Sequence, residues 1–259
     1  THDAIATLRE VGDLRPDALV EVRSRLALAN ALRILDRYDE ALAALDRAET
    51  LLTGLDRPEL LARLWTLRGN IHFPRGELDA CLAAHEHALE WARAAKSPVD
   101  EARALGGVGD AWYQRGRMRT ARDYFAKCVT EARENGAVGL ALSNAPMLAL
   151  TRAICGEVRQ ALADCTEIAA DAARLGDPRS ELLTRDVESM ISLFRADYER
   201  ARRACDRGLV LARQLGARRF EAELMALMGH ALGELGGSAD AQVLLRQATT
   251  LALEVAKTY

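Results

Sequence analysis

RGNIHFPRGELDACLAAHEHAL (residues 68–89) and VGDAWYQRGRMRTARDYFAKCV (residues 108–129) carry one pattern twice, forty residues apart. Each opens on a small residue, Gly69 or Gly109. A ring follows three residues later, at His72 or Trp112, and a glycine at Gly76 or Gly116. A second small residue, Cys81 or Ala121, comes next, then His85 or Phe125, then Ala88 or Cys128. Extended over the chain with the same stride, the first position reads Ala29, Gly69, Gly109, Ala149, Ser189 and Gly229. The position twelve further on reads Ala41, Cys81, Ala121, Ala161, Ala201 and Ala241. Both series are small throughout. That is what two antiparallel helices need if their backbones are to approach closely while larger side chains interlock with the next pair.

Punctuation agrees with this stride. Asp36, Gly76, Gly116, Gly156, Ala196 and Gly236 fall midway through each unit, where a helix break is expected. LDRPE, KSPVD, ENGAV, GDPRS and LGARR mark the far ends, with Pro58, Pro98 and Pro178 suited to a first helical turn. Breaks at both ends leave helices of about 15 to 18 residues. No strand-like alternation appears, so the expected fold is an all-α solenoid of about six helix pairs. The pairs are placed at 17–56, 57–96, 97–136, 137–176, 177–216 and 217–256, as one continuous array over 17–259. Residues 1–16 read as the second helix of a truncated preceding unit, with Ile5 and Leu8 in register. The chain, which begins at Thr1, is therefore expected to be a piece of a longer array. Pro146, in LSNAPMLAL, lies inside the fourth first helix. The expectation there is a helix that starts near Asn144, or a kink, because proline removes one backbone bond and clashes four residues back.

The pattern resembles the tetratricopeptide repeat, with Gly109, Trp112, Gly116, Ala121 and Phe125 reproducing it most fully. That resemblance implies a right-handed superhelix in which first helices line the inner surface. The period of forty is longer than the usual 34 of that family. The runs at 67–93, 102–129 and 211–223 are similar, more narrowly, to the C-terminal repeat region of large bacterial signalling proteins. In those proteins a class III adenylate or guanylate cyclase domain and an AAA-type ATPase domain come first. The resemblance implies a regulatory region in a bacterial, cytoplasmic protein. Neither the cyclase's metal-binding aspartates nor a GxxxxGK[ST] loop is present, so no activity is carried over.

Composition narrows the remaining chemistry. The 259 residues are 49% hydrophobic, only 5% aromatic, and carry a net charge of −3. Arginine and acidic residues are interleaved, so no basic stripe for nucleic acid stands out. No apolar run approaches the roughly 20 residues that span a bilayer. Five cysteines without CxxC spacing fit a reducing compartment. Cys81 and His85 have metal-compatible spacing on one helical face, but both occupy repeat positions filled elsewhere by apolar residues. Core packing is the reading for both. GGVGD at 106–110 lacks the lysine of a phosphate loop and sits within a helix. No catalytic residue, metal or cofactor is assigned.

Binding is therefore expected on the inner surface. The stride places Arg23, Arg63 and Arg103 in one column, Asn30, Asn70 and Asp110 in another, and the row three residues before the small position on the same inner face. Arg33, Phe73 and Tyr113 lie beside them. Arginine forks suit carboxylates, and an amide can bond a peptide backbone as donor and acceptor. Further along, Leu150, Ile154, Met190 and Phe194 supply an apolar lining. The expected partner is a protein or peptide with an acidic segment. A small-molecule or peptide sensor around Met190 and Phe194, or a second copy of the chain, is the alternative.

Overall fold

The structure, a computed structural model, describes residue 5 and residues 17–256. Twelve helices and no strand occur over 17–256. They are α1 (Ala18–Ile34), α2 (Tyr38–Leu52), α3 (Pro58–His72), α4 (Leu78–Ala94), α5 (Pro98–Gln114) and α6 (Met118–Glu134). Then come α7 (Val138–Ile154), α8 (Val158–Leu175), α9 (Pro178–Phe194), α10 (Tyr198–Leu215), α11 (Arg218–Glu234) and α12 (Ser238–Ala256). The fold is an all-α helical-repeat solenoid. Its contacts divide it into two compact units, 1–141 and 142–259, with the division falling inside α7.

The helix breaks are set by backbone handedness. Asp36, Gly76, Gly116, Gly156, Ala196 and Gly236 all have positive φ, between 56° and 96°. Glycine adopts that left-handed region freely, whereas alanine does so at a cost. Lys96, Gly136, Gly176 and Gly216 repeat the device between units. Pro58, Pro98 and Pro178 each begin a helix. Ser97 and Asp177 cap the latter two, accepting from the backbone N–H of Asp100 and Ser180 at 3.4 and 3.1 Å.

Close approach then builds the pairs. An added Cβ at Gly109 would stand 2.9 Å from the ring of Phe125, and one at Gly229 would stand 2.8 Å from Leu245. At Gly69 and at Gly107 it would stand 2.3 and 2.2 Å from the imidazole of His85. His85 on α4 is thus clasped between glycines on α3 and α5. Ion pairs staple successive pairs from outside: Arg75 to Asp39 at 2.7 Å and, in the same register, Arg115 to Asp79. Arg93 meets Glu101 and Arg213 meets Glu221, both at 2.8 Å.

In the first unit α1 touches α3 and α3 touches α5, while α2 and α4, or α4 and α6, do not touch. The first helices therefore line the concave side of that unit. Ile5 is helical, buried, and packs into the core with Val22, Leu26 and Leu45. Leu8, which shares its expected register, lies outside the described residues.

Two expectations are corrected. α7 runs unbroken from Val138 through Pro146 to Ile154, so no helix starts near Asn144. Pro146 is buried along with Ala145, Leu148 and Ala149. Burial of that apolar face outweighs the roughly 3 kcal/mol that an interior proline costs. The row three residues before the small ruler position does not face a groove either. Leu26, Thr66, Gly106 and Asp186 are buried, because in each unit successive first helices close over such positions.

Ala196→Gly is expected to raise unfolding free energy by about 1 kcal/mol, by relieving the left-handed alanine. Gly107→Ala is expected to lower it by about 1 to 3 kcal/mol despite alanine's better helix propensity, since His85 has nowhere to move. Chemical denaturation of both variants checks the two opposite signs.

Candidate binding groove

α1, α3 and α5 bring the predicted columns together on the concave side of the first unit. Arg23, Arg63 and Arg103 are exposed, one per helix. Arg103 is engaged by Asp100 one turn earlier. Arg23 and Arg63 make no ion pair among the described residues. Asn30, Asn70 and Asp110 are half-buried one turn or more further along, with Arg33 donating to Asn30 Oδ1 at 3.1 Å. Phe73 and Tyr113 flank them, also half-buried. Phe73 leans on the core of Cys81, Leu82, Val108 and Ala111, and its carbonyl accepts from Gln114 Nε2 at 2.8 Å. The aromatic beside the groove is thereby fixed in place.

Asp110 differs from its column. Its carboxyl makes no hydrogen bond or ion pair among the described residues, and burial pushes its pKa up to about 7. Its charge in turn helps hold the thiols of Cys81 and Cys128 up, at about 11 and about 12, after the larger effect of burial. Cys165 and Cys205 are pushed up to about 12 as well, mainly by burial. Such thiols stay protonated at neutral pH and are poor nucleophiles or metal ligands. No group of three His, Cys, Asp or Glu side chains that could hold a metal ion occurs among the described residues.

His85, the metal candidate of the sequence, is 1% exposed, with Nδ1 lacking a partner. Burial, and secondarily the charge of His72, lowers its pKa to about 4. His72 itself is engaged by Glu77 at 2.5 Å, and His87 lies on the outer side against Trp65. The imidazole is a neutral packing group.

The apolar residues of the second unit are unevenly available. Phe194 is 87% and Ile154 50% exposed, and Met190 is half-buried. Leu150, expected in the lining, is only 7% exposed because its side of α7 is packed inward. Sequence reading missed the polar interior of α9, where Glu181, Thr184, Asp186, Glu188 and Ser192 are all buried. Glu181 binds Arg207 through two contacts of 2.8 Å, and Glu188 binds Arg185 and Arg200 at 2.8 and 2.7 Å. Asp186 has no such partner on Oδ1, and its pKa rises to about 7 through burial and then the neighbouring Glu223. The arginines spaced along α10 were the available signal. A cleft of about 680 Å³ lies between α11 and α12, lined by Ala222, Ala226, Leu245 and Val255, and does not include Met190 or Phe194.

Residues 60–134 match the tetratricopeptide repeat model. This is the segment that carries α3 to α6 and two of the three groove helices. The repeat fold extends well beyond it, as solved structures show. The chain is similar to a Rap protein complexed with competence and sporulation factor, at 10% identity and a TM-score of 0.72. That match covers 97% of this chain and 80% of the other. It is also similar to the apo form of the quorum sensor NprR from B. thuringiensis, at 13% identity and 0.71, covering 95% and 69%. A third likeness is to a signal transduction ATPase with numerous domains and a tetratricopeptide repeat sensor, from Pyrococcus horikoshii. There the identity is 15% and the TM-score 0.70, with 96% of this chain but only 39% of that one covered. No curated protein matches the sequence. At these identities the likeness is one of fold. No described helix is long and apolar enough to cross a membrane.

The lowered pKa of His85 gives stability a direction with pH. Below about 6.5 the unfolded chain takes up a proton that the folded chain refuses until about pH 4, so this contribution is present above 6.5 and lost on acidification. Asp110 and Asp186 act oppositely, since their folded forms hold protons up to about pH 7. His85→Leu, which borrows the residue of the equivalent positions 45 and 245, is expected to flatten the fall in Tm between pH 6.5 and 4. An unchanged acid limb would show that His85 is not the group responsible.

Proposed function

We propose that the chain is a non-catalytic repeat scaffold that recognises a protein or peptide on the concave side of its first unit. The observation that carries this is the pair of exposed arginines Arg23 and Arg63, without an ion pair among the described residues, in register beside the half-buried amides of Asn30 and Asn70. Guanidinium groups offer forked donors to carboxylates, and the amides offer donor and acceptor to an extended backbone. Fixed first helices supply the preorganisation that limits the entropy cost of binding. The complex named for the Rap protein and the sensor role named for the ATPase repeats support a reading as a receptor for peptide or protein. A place as the regulatory region of a larger, cyclase-containing bacterial protein rests on the sequence resemblance alone.

Phe194, with 87% of its surface exposed, and Ile154, with 50%, favour a second reading in which the second unit contributes an apolar contact to the same kind of partner or to another copy of the chain.

Charge reversal tests the first reading. Random dodecapeptides displayed on phage and selected on the immobilised protein are expected to be enriched in acidic residues. Arg63→Glu combined with Arg103→Glu should weaken the selected peptides about 10-fold or more. Unchanged affinity would leave the arginines as solvated surface.

A further inference from the structure

Asp110 occupies the column position that is asparagine in both preceding repeats, so one neutral amide has been replaced by a carboxylate at the same depth in the groove. The replacement is costly. The carboxyl is half-buried and, among the described residues, accepts no hydrogen bond and meets no cation. Neighbouring arginines are already engaged: Arg103 by Asp100, Arg115 by Asp79, and Arg75 by Asp39 and Glu77. Asp186 is also uncompensated, but it is closed off between α9 and α11 and cannot meet a ligand. Asp110 stands on the groove side, next to Tyr113 and in line with Asn70.

We propose that Asp110 receives a cation from the bound peptide: a lysine or arginine side chain, or the peptide's terminal ammonium. This rests on the groove reading above and sharpens it. The ligand would be a peptide of mixed charge, its carboxylate on Arg63 and its cationic group on Asp110, and not simply an acidic one. The chemistry favours a cation over a neutral donor. A buried carboxyl without a partner is held protonated by desolvation, with its pKa near 7, and an ammonium or guanidinium in contact restores the ionised form. A neutral donor would be served as well by the asparagine used twice before. The fixed order of carboxylate and cation along the ligand also sets its direction in the groove, since the reversed peptide would bring like charges together.

The experiment compares wild type with Asp110→Asn, selecting the same displayed dodecapeptides on each. Wild type should enrich peptides that hold a basic group at a fixed distance from an acidic one. Asp110→Asn should keep the acidic preference and lose the basic one. For a synthetic wild-type-selected peptide, either replacing its lysine or arginine by glutamine or acetylating its N-terminus should weaken binding about 10-fold or more to wild type. The same change should shift binding to Asp110→Asn by less than about twofold. Which replacement has the effect identifies the source of the cation. The variant also reports its own folding, since removal of an uncompensated charge should raise its Tm at pH 8. If Asp110→Asn still selects the basic residue, or if wild type selects none, the assignment of Asp110 is overturned while the arginine groove stands. If wild type enriches no peptide at all, both readings fall together.

Discussion

Helix pairs in this chain pack closely because small side chains stand at their crossings, and at three of them a glycine faces a bulky ring or leucine. Gly109 against Phe125 and Gly229 against Leu245 repeat a single offset of sixteen residues, and Gly69 and Gly107 close on His85 from two sides. The contacts leave no room for a methyl group. Packing at this density makes the arrangement unforgiving of added volume, and it fixes the first helices of each unit at spacings that small side chains allow. Whatever the inner surface recognises is positioned by those crossings.

The cost of that packing is visible where the slot is filled by something polar. An imidazole at His85 is kept neutral by burial, and one nitrogen stays unsatisfied in the space that Gly69 and Gly107 leave it. On α9 the same problem is met differently: Glu181 and Glu188 are buried and are neutralised by arginines that reach in from more exposed positions. Removing one partner of such a group would strand the other charge, which costs far more than the pair contributes. The interior of the second unit therefore depends on matched charges, whereas the first unit depends on matched volumes.

Against this background the concave side of the first unit stands out by what it leaves unmatched. Most acidic residues in the repeat joints have an arginine, as Asp39, Asp79 and Glu101 do. Arg63 and Asp110 have none among the described residues, and both lie on the groove side. At Asp110 the unpaired charge is also partly withdrawn from water, which is unfavourable in the free protein. It becomes favourable when a ligand brings the opposite charge, and so it points to where recognition is concentrated.

The stride of forty, the small residues, the left-handed breaks and the prolines at helix starts were all readable in the sequence, because each is a local or periodic demand of the backbone. They determined helix number, helix limits and the registers of the arginine and amide columns. The helix start expected near Asn144 misled, since the local preference of Pro146 to end a helix was overridden by burial of the surrounding face of α7. Leu150 misled for a related reason: register assigns a face, but only neighbouring helices decide how far that face is closed. Which charges find partners was equally hidden. Asp79 and Asp110 look alike in sequence, yet one meets Arg115 across a repeat joint and the other meets no cation among the described residues, because pairing depends on side chains brought together from separate helices. Periodicity settled the scaffold; the distances between its helices decided which residues remain free to bind.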